Sequence, residues 1–210
     1  LPVSHVPDDH PIARHRAELL ACRACPDVVP PVVTGRAVQS EVFFIGQAPG
    51  VHEGELGQPF AWTAGKRLFE WMRTIGVDEE HFRSRVYMTA VIRCFPGKAK
   101  AGGGDRVPSR SQIDACARWM AREVGLLRPK LVIAVGRLAI ERVAGTKIDK
   151  LDQVVGPLHR GSFFGHPVDW VALPHPSGLS SWHKTEPGKT LLARALRTLA
   201  AHPSWSRIAR

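Results

Sequence analysis

Four cysteines and one histidine are the residues of this chain whose types and spacing could do chemistry. Cys22 and Cys25 form the C-x-x-C of CRAC, Cys94 closes VIRC, and Cys116 lies in DACARW. A lone C-x-x-C is weak evidence, since a redox pair or coincidence would explain it. Two further cysteines allow a cage of four thiolates, which suits tetrahedral zinc or a [4Fe–4S] cluster. With all four spent on metal, none remains as a nucleophile. The histidine is His175, in HPSG, directly after the apolar run of VDWVALP. A lone histidine before proline is by default a structural loop residue, so its neighbours must decide its role.

A third feature has almost no side chains. VFFIGQAPG at 42–50 runs from four apolar residues into Gly46-Gln47-Ala48-Pro49-Gly50. Such a turn either rounds a corner or lets bare backbone N–H groups approach a ligand closely.

These residues need elements to position them. Continuous apolar runs predict strands at 42–45 (VFFI), 86–92 (VYMTAVI) and 131–136 (LVIAVG), with a fourth ending at Leu173. Helical spacing predicts helices over about 12–21, 62–76, 111–127, 137–145 and 187–201, the third capped by Ser109 or Ser111. Strands that are apolar throughout and alternate with helices predict an α/β chain with a parallel sheet between helical layers. Ligands in such folds sit beyond the carboxyl ends of the strands. GQAPG, the residues after VYMTAVI, and HPSG all fall there. No repeat or domain boundary interrupts residues 1–210, which read as a single domain. Residues 1–11 form a loose lead-in, and 95–110 a basic, Gly-rich loop.

Composition narrows the function. The chain has 210 residues, with 44% hydrophobic and 23% charged, as in ordinary soluble domains. Its 29 Lys+Arg against 19 Asp+Glu give a net charge of +10, which favours a polyanionic partner such as DNA. No apolar stretch approaches the ~20 residues of a membrane helix, and the start lacks the pattern of a secretory signal. A cytoplasmic protein is therefore expected, in which cysteines serve metal or redox sites rather than disulfides. A monomer is the expected state.

Taken together, CRAC, GQAPG, GQPF at 57–60, AGKRL at 64–68, Cys94, Cys116 and HPSG occur in the order found in the uracil-DNA glycosylase superfamily. Over roughly residues 18–200 the chain resembles the iron–sulfur branches called families 4 and 5. The resemblance implies a three-layer α/β/α sandwich with a central four-stranded parallel sheet. It also implies a structural [4Fe–4S] cluster on Cys22, Cys25, Cys94 and Cys116, with zinc the less favoured alternative. The implied activity is monofunctional hydrolysis of the N-glycosidic bond of a deaminated base flipped out of DNA, leaving an abasic site to start base excision repair.

On this resemblance His175 becomes the leading catalytic residue, its N–H stabilising the anionic leaving base. Gly46, Gln47, Ala48, Gly50 and Ala90 would line the base pocket, with Phe60 stacking on the extruded ring. Ser177 and Gly178 would hold a flanking phosphate, and Leu179 would fill the gap left in the duplex. Lys98, Lys100, Arg106 and Arg110 would clamp phosphates.

Three departures temper the likeness. Gln47 replaces the glutamate of family 4, and Ala48 stands where family 1 has a water-orienting aspartate. The nearest carboxylates in sequence are Glu53, the expected catalytic substitute, and Glu55. Ala90 replaces the asparagine that reads uracil in family 4, and TAVIRC is closer to the TAAVRC of family 5, whose members accept more bases. A loss of roughly 1–3 kcal/mol of discrimination is expected, which brings hypoxanthine and xanthine into play. The loop at 97–110 also lacks the histidine of a covalently capturing branch. The alternatives are a catalytically weak iron–sulfur relative that binds DNA and senses lesions, and a zinc protein binding nucleotide phosphate.

Overall fold

The computed structural model describes residues 6–99, 104–178 and 180–210, so two of the expected DNA contacts, Lys100 and Leu179, lie outside the described residues. Helix α1 (Pro11–Leu20), capped by the His10 ring, precedes strand β1 (Val42–Gly46). Then come α2 (Val51–Leu56), α3 (Thr63–Arg73), α4 (Glu79–Arg85) and β2 (Tyr87–Ala90). Helix α5 (Arg110–Leu127) starts from a Ser109 cap box and leads to β3 (Leu131–Val135) and α6 (Arg137–Ala144). The chain ends with β4 (His159–Phe163), β5 (His166–Leu173), α7 (Gly188–Ala201) and α8 (Pro203–Ile208).

The sheet has five strands in the order β2-β1-β3-β5-β4, one more than the expected four. Strands β2, β1, β3 and β5 are parallel, and β4 pairs antiparallel with β5 at the edge. That fifth strand escapes the apolar-run criterion because its first four residues, His159 to Ser162, are not buried. Its hairpin turns through Phe164 (φ 49°) and Gly165 (φ 77°), a positive-φ pair that matches strand twist without the Asn-Gly signature.

Every residue of β1, β2 and β3 is buried, as both faces of the sheet are covered. Phe43 and its register partner Tyr87 face α5, where the Tyr87 hydroxyl donates to Glu123. Phe44 faces the opposite layer, edge-on to Phe60 and to Phe82 of α4, which in turn meets Trp205 of α8. This gives the three layers expected.

The chain leaves β1 toward β2 on one side and returns to β3 on the other. The order therefore reverses between β1 and β3, where α/β sheets open a crevice at their carboxyl ends. GQAPG leaves β1 there, and HPSG leaves β5 one strand beyond β3. With strands about 4.8 Å apart, the two corners stand about 10 Å apart across the crevice.

Candidate active site and thiol centre

Helix α3 props both walls of the crevice. On one side, a Cβ built on Gly65 would lie 1.7 Å from the Phe60 carbonyl oxygen, so only glycine lets the GQPF turn rest on the helix. Phe60 adopts φ 54°, a conformation unfavourable for an aromatic residue. Buried Arg83 holds it there, donating to the Pro59 carbonyl at 2.9 Å and the Phe60 carbonyl at 3.0 Å. On the other side, Arg67 of α3 donates to the carbonyl of Ser177 at 3.1 Å and weakly to that of Pro176. The AGKRL motif thus fixes the aromatic wall and the HPSG wall from one rigid element.

At the β1 corner, the Gly46 carbonyl accepts from Val91 N–H and the Gln47 carbonyl from Ile92 N–H, which seats the segment after β2 against the turn. Ala90 is buried beside them. The edge of the Phe60 ring lies against Gly46, where any Cβ would fall 2.8 Å from it. Glu53 sits at the rim: its carboxylate accepts from the backbone N–H of Gly50, and the Phe60 and Ala61 amides nearby favour its charged form. Burial raises its pKa against the pull of those amides.

His175 follows β5 and lies beside Gly136, the residue after β3. Gly136 has φ 85°, and a Cβ there would lie 3.3 Å from the imidazole Cδ2, so glycine makes room for the ring. Burial lowers the His175 pKa, and the charge of Asp105 partly opposes this.

Asp105 is a residue the sequence reading missed. The basic loop folds back as a hairpin, with Arg106 N–H donating to the Gly97 carbonyl. Lys98 Nζ meets Asp105 Oδ1 at 2.7 Å. A Cβ on Gly50 would sit 3.5 Å from both Asp105 Oδ2 and Glu53 Oε2. One carboxylate therefore borders the GQAPG rim while its charge reaches His175. The available signal was that Asp105 is the sole acid among residues 95–110.

The expected phosphate clamps are less open than their exposure suggests. Lys98 pairs with Asp105, Arg110 with Asp114 one helical turn on, and Arg106 donates to the Asp27 carbonyl. Trp182 and His183, which follow the HPSG segment, have structural partners. The Trp182 indole donates to Asp152 at 2.8 Å, and buried His183 packs edge-on against Trp71.

The four cysteines converge. Cys22, Cys25, Cys94 and Cys116 line one cavity of about 90 Å³ together with Arg93 and Trp119. None is in a disulfide. Backbone bonds from Val29 to Phe95 and from Val33 to Arg93 staple the CRAC loop to the segment bearing Cys94. Burial, followed by the charges of the other three thiols, pushes Cys94 up to about 11. Cys25 is also raised, by burial first and then by Cys116 and Cys22. For Cys22, the Ala24 amide, Trp119 and Arg118 outweigh burial and lower it. Four mutually repelling sulfurs around one cavity suit a cationic metal centre. Among the described residues, no group of three or more His, Cys, Asp or Glu is spaced to hold a single ion.

A reversal point in a three-layer α/β/α sandwich, bordered by a Gly-Pro turn, a braced aromatic and a histidine, is where sheets of this class bind ligands. The sequence profile of the Uracil DNA glycosylase superfamily matches residues 33–200, and the chain belongs to that superfamily. Its relatives include a type-4 uracil-DNA glycosylase of Pyrobaculum aerophilum, 31% identical over 66% of this chain and 67% of the relative. Another type-4 enzyme, from Archaeoglobus fulgidus, is 28% identical over 77% and 79% respectively. A type-5 uracil-DNA glycosylase of Thermus thermophilus is 30% identical over 59% of this chain and 67% of its own length. Among the described residues no helix is long and apolar enough to cross a membrane.

Proposed function

We propose that the chain is a DNA repair glycosylase that flips uracil out of DNA and hydrolyses its N-glycosidic bond. The observation that carries this reading is membership of this superfamily, in a sheet whose strand order brings the GQAPG turn and His175 to the carboxyl ends of β1 and β5. The base enters between Phe60 and the rim, with Gln47 and the amides of the turn at its edge. As the C1′–N bond breaks, its electron pair leaves with the base, and the His175 N–H stabilises the charge arriving on the base carbonyl. Water adds to C1′ and loses its proton toward a carboxylate.

Glu53 is less well placed for that last task, because its Oε2 already accepts from the Gly50 N–H and the Phe60 and Ala61 amides favour its charged form. It serves as a latch for the rim, and Asp105 takes the water. Asp105→Asn is expected to lower kcat about 100-fold while leaving affinity for substrate DNA nearly unchanged. An unaltered kcat would return the role to Glu53. Ala90 in place of a base-reading amide supports acceptance of hypoxanthine or xanthine as well.

The thiolates of Cys22, Cys25, Cys94 and Cys116 would hold a [4Fe–4S] cluster that ties the CRAC loop to α5 and to the end of β2. Protein purified without oxygen should be brown, and Cys116→Ser should lose the broad absorbance near 400 nm typical of such clusters (~400 nm). A colourless, zinc-loaded preparation would overturn this assignment. The function itself is tested with labelled oligonucleotides carrying uracil, hypoxanthine or xanthine, followed by alkaline cleavage of abasic sites. Strand breaks at uracil are expected, and none on any of the three would leave a DNA-binding relative without activity.

A further inference from the structure

Helix α2 has no buried residue, yet it carries His52, whose ring lies 4.4 Å from that of Trp62 at an interplanar angle of 35°. Trp62 is 49% exposed, and Val51 and Leu56 of the same helix are also exposed. An indole costs free energy when left half in water, and the core has no claim on this one. The pair is not on a wandering loop. Glu53 of α2 lies close enough to the Phe60 and Ala61 amides to feel their field, and Trp62 is the next residue and the N-cap of α3. Trp62 lies two positions after Phe60, which limits their Cα separation to about 7 Å. One turn along α3, Lys66 is exposed.

We infer that His52 and Trp62 form a stacking platform for a second, unpaired nucleobase next to the flipped one, so that the chain engages single-stranded DNA at the crevice mouth. This deepens the glycosylase reading and rests on it for the position of the flipped base. A solvent-facing aromatic plane can be met only by a base whose own face is free. Within a duplex the bases beside the flipped one stay paired and stacked in the helix, whereas in a single strand a neighbouring base can swing free to present its face. The +10 net charge and the lysine one turn away suit the accompanying phosphates.

The test uses labelled, undamaged oligothymidylate at fixed salt, read by fluorescence anisotropy. Trp62→Ala should weaken binding about 5- to 100-fold, the range for removing one base–aromatic stack. Trp62→Phe should retain most of the affinity, and His52→Ala should show a smaller loss. An oligomer of abasic sugar phosphates, which offers charge without bases, should bind wild type and Trp62→Ala equally. On uracil substrates, Trp62→Ala should lower kcat/KM for the single strand by a similar factor and for the duplex by less than about twofold. Equal affinities of wild type and Trp62→Ala for oligothymidylate, or equal losses on both abasic and thymidylate oligomers, would overturn the platform. Should wild type excise no base at all, the glycosylase reading falls, while the oligothymidylate comparison still decides for or against stacking.

Discussion

His175→Ala is expected to lower kcat on uracil-containing DNA by about 100- to 1,000-fold, the range for removing one preorganised donor to a developing anion. Burial lowers the pKa of this imidazole, so at neutral pH it is uncharged and one ring nitrogen still carries a proton. A neutral donor suits the task, since it stabilises the departing base without binding the uncharged substrate base strongly beforehand. The interaction therefore grows as the bond breaks, and its loss should appear in kcat while KM moves little. His175→Asn, which keeps an N–H on a shorter arm, should recover part of the rate. Single-turnover excision on uracil oligonucleotides measures both variants. Wild-type rates in His175→Ala would remove this residue from the chemistry and take the crevice reading with it.

The parts of this molecule that could be read from sequence are those in which each residue meets one uniform environment. Strands β1 and β3 are buried on both faces, so VFFI and LVIAV are apolar throughout and cannot be mistaken. The Ser109 cap box and the periodic face of α5 are equally local signals. Strand β4 is exposed along most of its length, and its turn uses Phe-Gly, so neither its pattern nor its turn announces it. The short helices α2, α4 and α8 span only six or seven residues each, too few for a clear period.

For the site, residue types were legible and their partners were not. Four cysteines suggested a metal centre, but their common cavity depends on the loop pairing of Val29 with Phe95. Glu53 stands near the rim in sequence, where a catalytic carboxylate is expected, whereas its Oε2 accepts from the Gly50 amide. Asp105 lies 55 positions after Gly50 and reaches the rim through its pairing with Lys98. Nothing local in the sequence marks Arg67 and Arg83 as loop braces. Both spend their guanidinium groups on loop carbonyls that shape the crevice walls.

The largest stability effect is expected at Glu123, a fully buried carboxylate in the layer between β2 and α5. Its two oxygens meet Arg93 at 2.5 Å, the Tyr87 hydroxyl at 3.0 Å, Thr89 at 3.3 Å and the His15 ring at 3.3 Å. Arg93 also donates to the Ala90 carbonyl and lines the thiol cavity, so this one guanidinium touches the base-pocket wall and the proposed cluster site. Glu123→Ala leaves that cation buried without its counter-charge, and three other polar groups lose an acceptor. A loss of about 3–5 kcal/mol follows from breaking a buried pair in this way. Chemical unfolding should show a lower midpoint with an unchanged slope. Glu123→Gln, which keeps the shape and part of the hydrogen bonding, should cost less. Burial alone would raise the Glu123 pKa, but Arg93, His15 and Tyr87 together lower it. A carboxylate lowered in the folded state stabilises fully at neutral pH and loses that contribution as the solution is acidified through its folded pKa. Wild type should therefore lose stability on acidification below about pH 4.5, near the ordinary glutamate value, more steeply than Glu123→Gln. Parallel pH profiles for the two proteins, or an unfolding midpoint in Glu123→Ala equal to that of wild type, would show that the buried network contributes nothing to holding β2, and with it Ala90, in place.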